Sequence, residues 1–312
     1  MSDFKKYIRL VKEFGPKIAY LKIMQKLFKK NEKLGKKYTI AKQKYITDKI
    51  KNEFYDIFQT DKKKNYADGY YLQENSPIWV FWWQGFESAP ILVQKCIESI
   101  EKNAYQHPVI LITRENINNY VDIPDYIYEK LEKGYITYTH FSDILRVSLL
   151  AKHGGIWMDA TIYTTGDFTK EMINYNFYSN KIKPFGSFIS QCRWSSFFIA
   201  SGKENPICII CRDVFLEYWK SHDVLIDYLL IDDVIYLAAK ENEKIKAAID
   251  KIPFNNEKIY ELQRVINSPF SHEQLEEINK ETNIFKLSNK YKYEKYVNDI
   301  PTFYSYIIGH KN

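Results

Sequence analysis

The spacing of apolar residues changes character along the chain, and each change marks a different kind of element. In the first thirty residues Phe4, Tyr7, Ile8 and Val11 recur at helical spacing, followed by Ile18, Leu21, Met24, Leu27 and Phe28. Two short amphipathic helices broken at Gly15-Pro16 are predicted. A third helix is predicted over residues 39–58, and the lysine-rich stretch 61–65 reads as a linker. At Ser76-Pro-Ile-Trp-Val-Phe-Trp-Trp-Gln-Gly85 the pattern becomes a continuous apolar and aromatic run bounded by Pro and Gly, which predicts a strand buried on both faces. Helical spacing returns over residues 89–102 through Val93, Ile97 and Ile100, and residues 107–113 form a second buried strand. Strand, helix, strand is a βαβ unit, so the expected class is α/β, with ligands at the carboxyl ends of the strands, around residues 83–86 and 113–115.

The segment from His140 to Tyr163 divides into helix, turn and strand. Ser142 is the predicted N-cap, Asp143 complements the positive helix start, and Gly154 suits a left-handed C-terminal cap. Residues 155–163 then read as one strand interrupted by a single carboxylate, Asp159, which is costly to bury without a cation or hydrogen-bond donors and so is a functional candidate. Asp143 and Arg146 are three apart and share a helix face, while Ile144, Leu145, Leu149 and Leu150 face the core. Spacing alone leaves two readings open for that pair: a local ion pair, or an arginine aimed at a diphosphate with Asp143 orienting it or holding a sugar hydroxyl. Further on, residues 194–200 read as a strand and residues 223–242 as a helix carrying Asp227, Asp232 and Asp233 among Leu, Ile and Tyr. Surface exposure is the plain reading of one or two of those acids. His140 and His310 are read as a structural and a tail residue.

Composition narrows the class. The chain has 312 residues, 45% hydrophobic and 27% charged, which suits a soluble globular protein and excludes disordered and collagen-like classes. Aromatic residues reach 16%, with 26 Tyr and 19 Phe, enough for stacking surfaces as well as a core. The formal charge of +6 is unevenly spread: residues 1–64 carry 19 Lys and Arg against 7 Asp and Glu, a net +12, and the remainder is net negative. That basic segment either docks its helices on the main domain with a solvated lysine face or lies on an anionic membrane surface. Nucleic acid is not expected as a partner, because the segment is Lys-rich and lacks a recognised binding module. Cys96, Cys192, Cys208 and Cys211 are too few and scattered for a disulfide framework, and the Cys208-x-x-Cys211 pair reads as core packing at a helix start. With no secretory h-region and no run near the ~18 apolar residues of a membrane span, a cytoplasmic protein is expected.

Ser142-Asp-Ile-Leu-Arg146 followed by Gly154-Gly-Ile-Trp-Met-Asp-Ala-Thr161 resembles the DxD region of glycosyltransferases, and specifically the bacterial capsular polysaccharide synthesis protein family, related to glycosyltransferase family 32. The stretches Phe81-Trp-Trp-Gln-Gly85 and Trp194-Ser-Ser-Phe-Phe-Ile-Ala200 are similar to that family as well. The resemblance implies a GT-A fold, Rossmann-like, with a mostly parallel central sheet flanked by helices over residues 76–312 and a basic helical extension over residues 1–75. It implies sugar transfer, with retention, from a nucleotide-diphospho-sugar, UDP-sugar favoured, to a hydroxyl of an oligosaccharide or undecaprenyl-linked acceptor in capsular or surface polysaccharide synthesis. The enzyme would sit on the inner face of the plasma membrane, held by residues 1–64. A non-catalytic sugar-nucleotide or partner-binding protein with a degenerate motif is the alternative. Carried over by position, Trp82, Trp83, Gln84, Asp143, Arg146, Asp159 and Thr161 bind the donor. The resemblance makes Asp159, Asp232 and Asp233 the candidate catalytic carboxylates, with Asp232 or Asp233 at the acceptor sugar, Asp159 the ligand for Mg²⁺ or Mn²⁺, and His310 a phosphate contact if the C-terminal segment closes over the nucleotide. The sequence departs from the motif at Thr161, which stands where the second Asp, commonly the direct metal ligand, would be.

Overall fold

The computed structural model describes residues 3–63 and 71–309. Helices α1 (Asp3–Phe14) and α2 (Pro16–Leu27) meet at Gly15, as the sequence pattern predicts. α3 (Glu32–Glu53) begins earlier than expected because Asn31 caps it, its side chain accepting a hydrogen bond from the Leu34 amide at 2.9 Å. α4 (Tyr55–Lys63) carries helix into the stretch read as a linker; residues 64–70 lie outside the described residues.

The βαβ unit is present as β1 (Ile78–Phe81), α5 (Ile91–Asn103) and β2 (Val109–Ile112). After α6 (Asp125–Glu132), α7 (Tyr138–His153) leads through Gly154 into β3 (Gly155–Met158). The short strand β4 (Ile162–Thr164) precedes β5 (Phe177–Ser179) and β6 (Phe198–Ser201). The main sheet has the order β2-β1-β3-β6-β5, parallel between β1 and both β2 and β3. β6 is antiparallel to both its neighbours, so four of the five strands run the same way. Then follow α8 (Pro206–Ser221), α9 (Leu230–Glu241), α10 (Glu243–Asp250), α11 (Glu261–Val265), α12 (His272–Glu281), β7 (Ile284–Lys286), a β8 (Tyr296–Val297) and β9 (Ile300–Pro301) ribbon, and α13 (Phe303–Ile307). β7 pairs antiparallel with β4 in a separate small sheet.

Alternation along the strands explains why they read as unbroken apolar runs: each face meets its own core. Trp79, Phe81, Trp157 and Ile199 pack with the buried residues of α7, α8 and α9 and with Leu10, Phe14, Ile18, Ile46, Ile50 and Phe58 of the N-terminal helices. Ile78, Val80, Ile156, Met158, Phe198 and Ala200 pack on the other side with Val93, Ile97 and Ile100 of α5. Cys208 and Cys211 are free thiols buried in α8, in keeping with the packing reading.

Four further boundaries differ from expectation. α7 is capped by Thr137, whose hydroxyl accepts from the His140 amide, so Ser142 lies inside the helix. β3 stops at Met158 because the Ile162 amide bonds back to the Asp159 carbonyl at 2.8 Å, turning the chain toward β4; residues 155–163 are two strands in two sheets. The strand expected at 194–200 is confined to Phe198–Ser201. The helix expected from 223 begins at Leu230, since the hydroxyl of Tyr218 takes up the Ile226 amide and the Asp227 carboxylate the Tyr228 amide, holding the preceding loop open.

Candidate active site

α7 runs back along β3, so its first two turns flank the carboxyl ends of β1 and β3, where an α/β sheet opens a crevice. A cleft of about 780 Å³ lies there. Its floor is Phe81 to Gln84, Trp157 and the Asp159–Thr161 turn; α7 contributes Tyr138, Ser142, Asp143 and Arg146, and the segment after β7 closes the far side. Tyr228, Tyr260, Phe197 and Tyr291 add aromatic wall. Another hollow of about 750 Å³, around Asp122, Lys152, Lys203 and Arg212, contains none of the sequence candidates.

The turn after β3 changes what Asp159 is: a carboxylate at the open end of a strand rather than one embedded within it. Its Oδ1 accepts from Arg146 Nη2 and from the Trp157 indole N–H, both at 3.0 Å, and its Oδ2 accepts from Lys286 Nζ at 2.7 Å. Burial alone would raise the Asp159 pKa, but the charges of Lys286 and Arg146 prevail and hold it below the usual carboxylate range, so the group stays ionised. Arg146 is buried, lies 4.9 Å from the centre of the Trp157 ring, and also donates Nη1 to Asp143 Oδ1 at 2.7 Å. The local ion pair of Asp143 and Arg146 is present, and it braces the guanidinium against Asp159. Behind it, His140 Nε2 accepts from the Trp219 indole at 2.9 Å, leaving Nδ1 3.4 Å from Asp143 Oδ2, so His140 is a buried support.

Seven of the sequence candidates line this cleft: Trp82, Trp83, Gln84, Asp143, Arg146, Asp159 and Thr161. Trp83 is set edge-on against Phe141 with ring centres 5.4 Å apart, and the Trp82 indole nitrogen is buried without a hydrogen-bond partner among the described residues. Asp232 and Asp233 do not line it. Asp232 is buried and accepts the Trp194 indole N–H at 2.7 Å. Asp233 is almost fully buried beside Asp227, Lys42 and Lys22, the second and third from the N-terminal helices. Neither the solvent-exposed nor the acceptor-sugar reading describes them, because residues far away in sequence cover both. His310 lies outside the described residues.

The residue that sequence reasoning missed is Lys286. It is the lone cation in the apolar run Ile284-Phe-Lys-Leu287, the same signal that drew attention to Asp159 with the sign reversed. Its Nζ also donates to Thr161 Oγ1 at 2.7 Å.

Mg²⁺ or Mn²⁺, implied by the family resemblance, requires a shell built largely of oxygen ligands. The motif here offers one carboxylate and one hydroxyl, and the Lys286 ammonium lies 2.7 Å from each. No group of three or more His, Cys, Asp or Glu able to hold a metal occurs among the described residues. This donor set does not fit a protein-held divalent ion.

A 181-residue segment, 51% of the chain, is 25% identical to the O-glycosyltransferase braB of Annulohypoxylon truncatum and covers 42% of that protein, so the match spans less than half of the relative's length. Among solved structures, the PaToxG glycosyltransferase aligns over 76% of this chain and 92% of its own, with a TM-score of 0.41 and 16% identity. Residues 25–307, from α2 through α13, match the family described as capsular polysaccharide synthesis protein, and the chain belongs to that family.

Proposed function

We propose that this chain is a glycosyltransferase with a GT-A-type donor site, moving a sugar from a nucleotide-diphospho-sugar, UDP-sugar favoured, to a hydroxyl of an oligosaccharide or lipid-linked acceptor during surface polysaccharide assembly. The observation that carries the reading is an ionised Asp159 between Arg146 and Lys286 at the mouth of the sheet, facing an aromatic-walled cleft large enough for a nucleotide sugar. Residues 76–312 form the transferase domain in this reading and residues 1–75 the basic extension. The cations stabilise charge on the departing diphosphate, and the aromatic rings carry the apolar faces of base and sugars.

What lines the cleft supports a retaining reaction. Its carboxylates among the described residues are Asp143 and Asp159, and both are paired with Arg146. An inverting reaction wants a free carboxylate or histidine base beside the acceptor, whereas in a retaining one an oxygen of the leaving diphosphate takes the acceptor proton. Membrane contact is proposed through α1 and α2: their main apolar stripe packs on the core, yet Ile8, Val11, Ile23 and Leu27 stay exposed among lysines 5, 12, 17 and 26.

The test is a thermal-shift screen of nucleotide sugars followed by transfer and donor-hydrolysis assays on wild type and Asp159→Asn. A nucleotide sugar should raise the melting temperature, and the substitution should cut turnover about 100-fold or more while the far-ultraviolet spectrum is retained. Donor binding without any turnover in the wild type would instead mark a non-catalytic binding protein, and no stabilisation by any nucleotide sugar would reject the donor site itself.

A further inference from the structure

We infer that the ammonium of Lys286 takes the place of a divalent cation at the donor diphosphate, so that this chain binds its nucleotide without metal. The inference rests on the donor-site reading above and deepens it.

The lysine is positioned by backbone on both sides. In the β4 and β7 pair its register partner is Ile162, its own amide bonds to the Ile259 carbonyl at 2.7 Å, and the next amide, of Leu287, bonds to the Thr161 carbonyl at 2.9 Å. The strand is therefore stitched to the very turn that presents Asp159 and Thr161. The side chain runs past Phe197, with Nζ 5.0 Å from the ring centre, and ends 2.7 Å from both Asp159 Oδ2 and Thr161 Oγ1. An ammonium has three N–H donors. Two go to these oxygens, and the third remains for an oxygen in the cleft that Lys286 lines.

Charge gives the same answer. In a DxD site two carboxylates and a dication sum to zero; here one carboxylate, one neutral hydroxyl and one ammonium also sum to zero. The replacement of the second Asp by Thr161 and the presence of Lys286 are thus one feature, since a second carboxylate would leave the site in need of another positive charge. A dication bound through the same two oxygens would lie in contact with the ammonium, and the repulsion grows with the product of the charges. The charged residues lining the cleft are Asp143 and Asp159 against Arg146, Lys286 and Lys290, an excess of one positive charge before the diphosphate arrives. A charged donor hydrogen-bonded to phosphate is short and strong, so Lys286 and its neighbours hold the anion directly.

The experiment is isothermal titration of wild type, Lys286→Ala, Lys286→Arg and the double variant Thr161→Asp with Lys286→Ala. Each is titrated with UDP, GDP, CDP and dTDP, first in EDTA and then with Mn²⁺ or Mg²⁺. Wild type should bind one of these nucleotides with Kd unchanged within about threefold between the two conditions. Lys286→Ala should lose about tenfold or more in EDTA, Lys286→Arg should keep most of the affinity, and the double variant should bind only with metal. Melting curves without nucleotide separate lost binding from lost folding. If Lys286→Ala does not fold, the wild-type comparison and Lys286→Arg decide. Wild-type binding that collapses about tenfold or more in EDTA overturns the inference while leaving the donor site standing, as does undiminished binding by Lys286→Ala. Binding of no nucleotide in either condition overturns the donor site and the inference together.

Discussion

Asp232, one of the candidate carboxylates, is enclosed by the fold and accepts the Trp194 indole N–H. It is buried, and burial is the main reason its pKa rises to about 7; the Trp194 hydrogen bond pulls it down, and the Asp143 charge pushes it up. The folded state therefore binds a proton that the unfolded chain, titrating near the ordinary carboxylate value, has already released. Stability falls as pH rises from about 4 through 7, because ionised Asp232 is paid for by desolvation. Asp232→Asn keeps an oxygen to accept the indole N–H and removes the titration, so melting temperatures of wild type should decline from about pH 5 to 8 relative to this variant. Parallel curves across that range would show that the group is already ionised in the fold. The helix pattern around Asp232 and Asp233 gave no hint of this, since the groups that enclose them come from Trp194, Lys22 and Lys42, between about 40 and 210 residues away in the chain. Asp159 was legible for the opposite reason: its oddity is local, a carboxylate among Ile, Trp, Met and Ala. Lys286 carried the same local oddity, but its partner lies 127 residues upstream.

At the scale of elements, periodicity found the βαβ unit, the first two helices and the helix before Gly154, while their ends moved where long-range hydrogen bonds decide them. The Gly154-Gly155 junction departs from the left-handed cap expected at Gly154, whose ψ is −160°. Both residues have positive φ, 69° and 107°. A Cβ on Gly155 would lie 2.3 Å from the Pro77 carbonyl oxygen and 2.8 Å from the Trp79 indole nitrogen; one on Gly154 would lie 2.5 Å from the Lys203 amide. The obstacles at Gly155 belong to β1 and the residue before it, so relief requires moving β3 away from β1. Those two strands carry Asp159 and the Trp82-Trp83 pair into the cleft. Gly155→Ala should cost more than about 2 kcal/mol, measured by denaturant unfolding, and should weaken nucleotide binding in whatever fraction still folds. A variant as stable as wild type would mean the two strands are not held in this register.

For the whole molecule the central question is what the basic N-terminal helices do, and docking on the sheet accounts for their apolar stripe. Leu10, Phe14, Ile18, Ile46, Ile50, Phe54 and Phe58 share one core with Trp79 and Trp157 of the sheet. Around that apolar seam the charges are matched: Lys42 to Asp227 and Lys51 to Glu241, both at 2.7 Å. His222, just past the end of α8, lies between Glu13 of α1 at 3.0 Å and Glu53 of α3 at 2.7 Å. Burial would lower the His222 pKa, but the hydrogen bonds and charges of Glu13 and Glu53 outweigh it and raise the value to about 9. A histidine whose folded value exceeds its unfolded one stabilises fully below the unfolded pKa and loses that contribution as pH rises through the folded one. The clamp between α1, α3 and α8 is therefore intact below about pH 6.5 and released as pH passes about 9. His222→Gln should lower the melting temperature by a few degrees near pH 6, and the gap to wild type should close by about pH 10. A gap that persists at alkaline pH would assign the loss to packing against Phe14 and Tyr218, whose ring centres lie 4.6 and 4.4 Å from the imidazole, instead of to its charge.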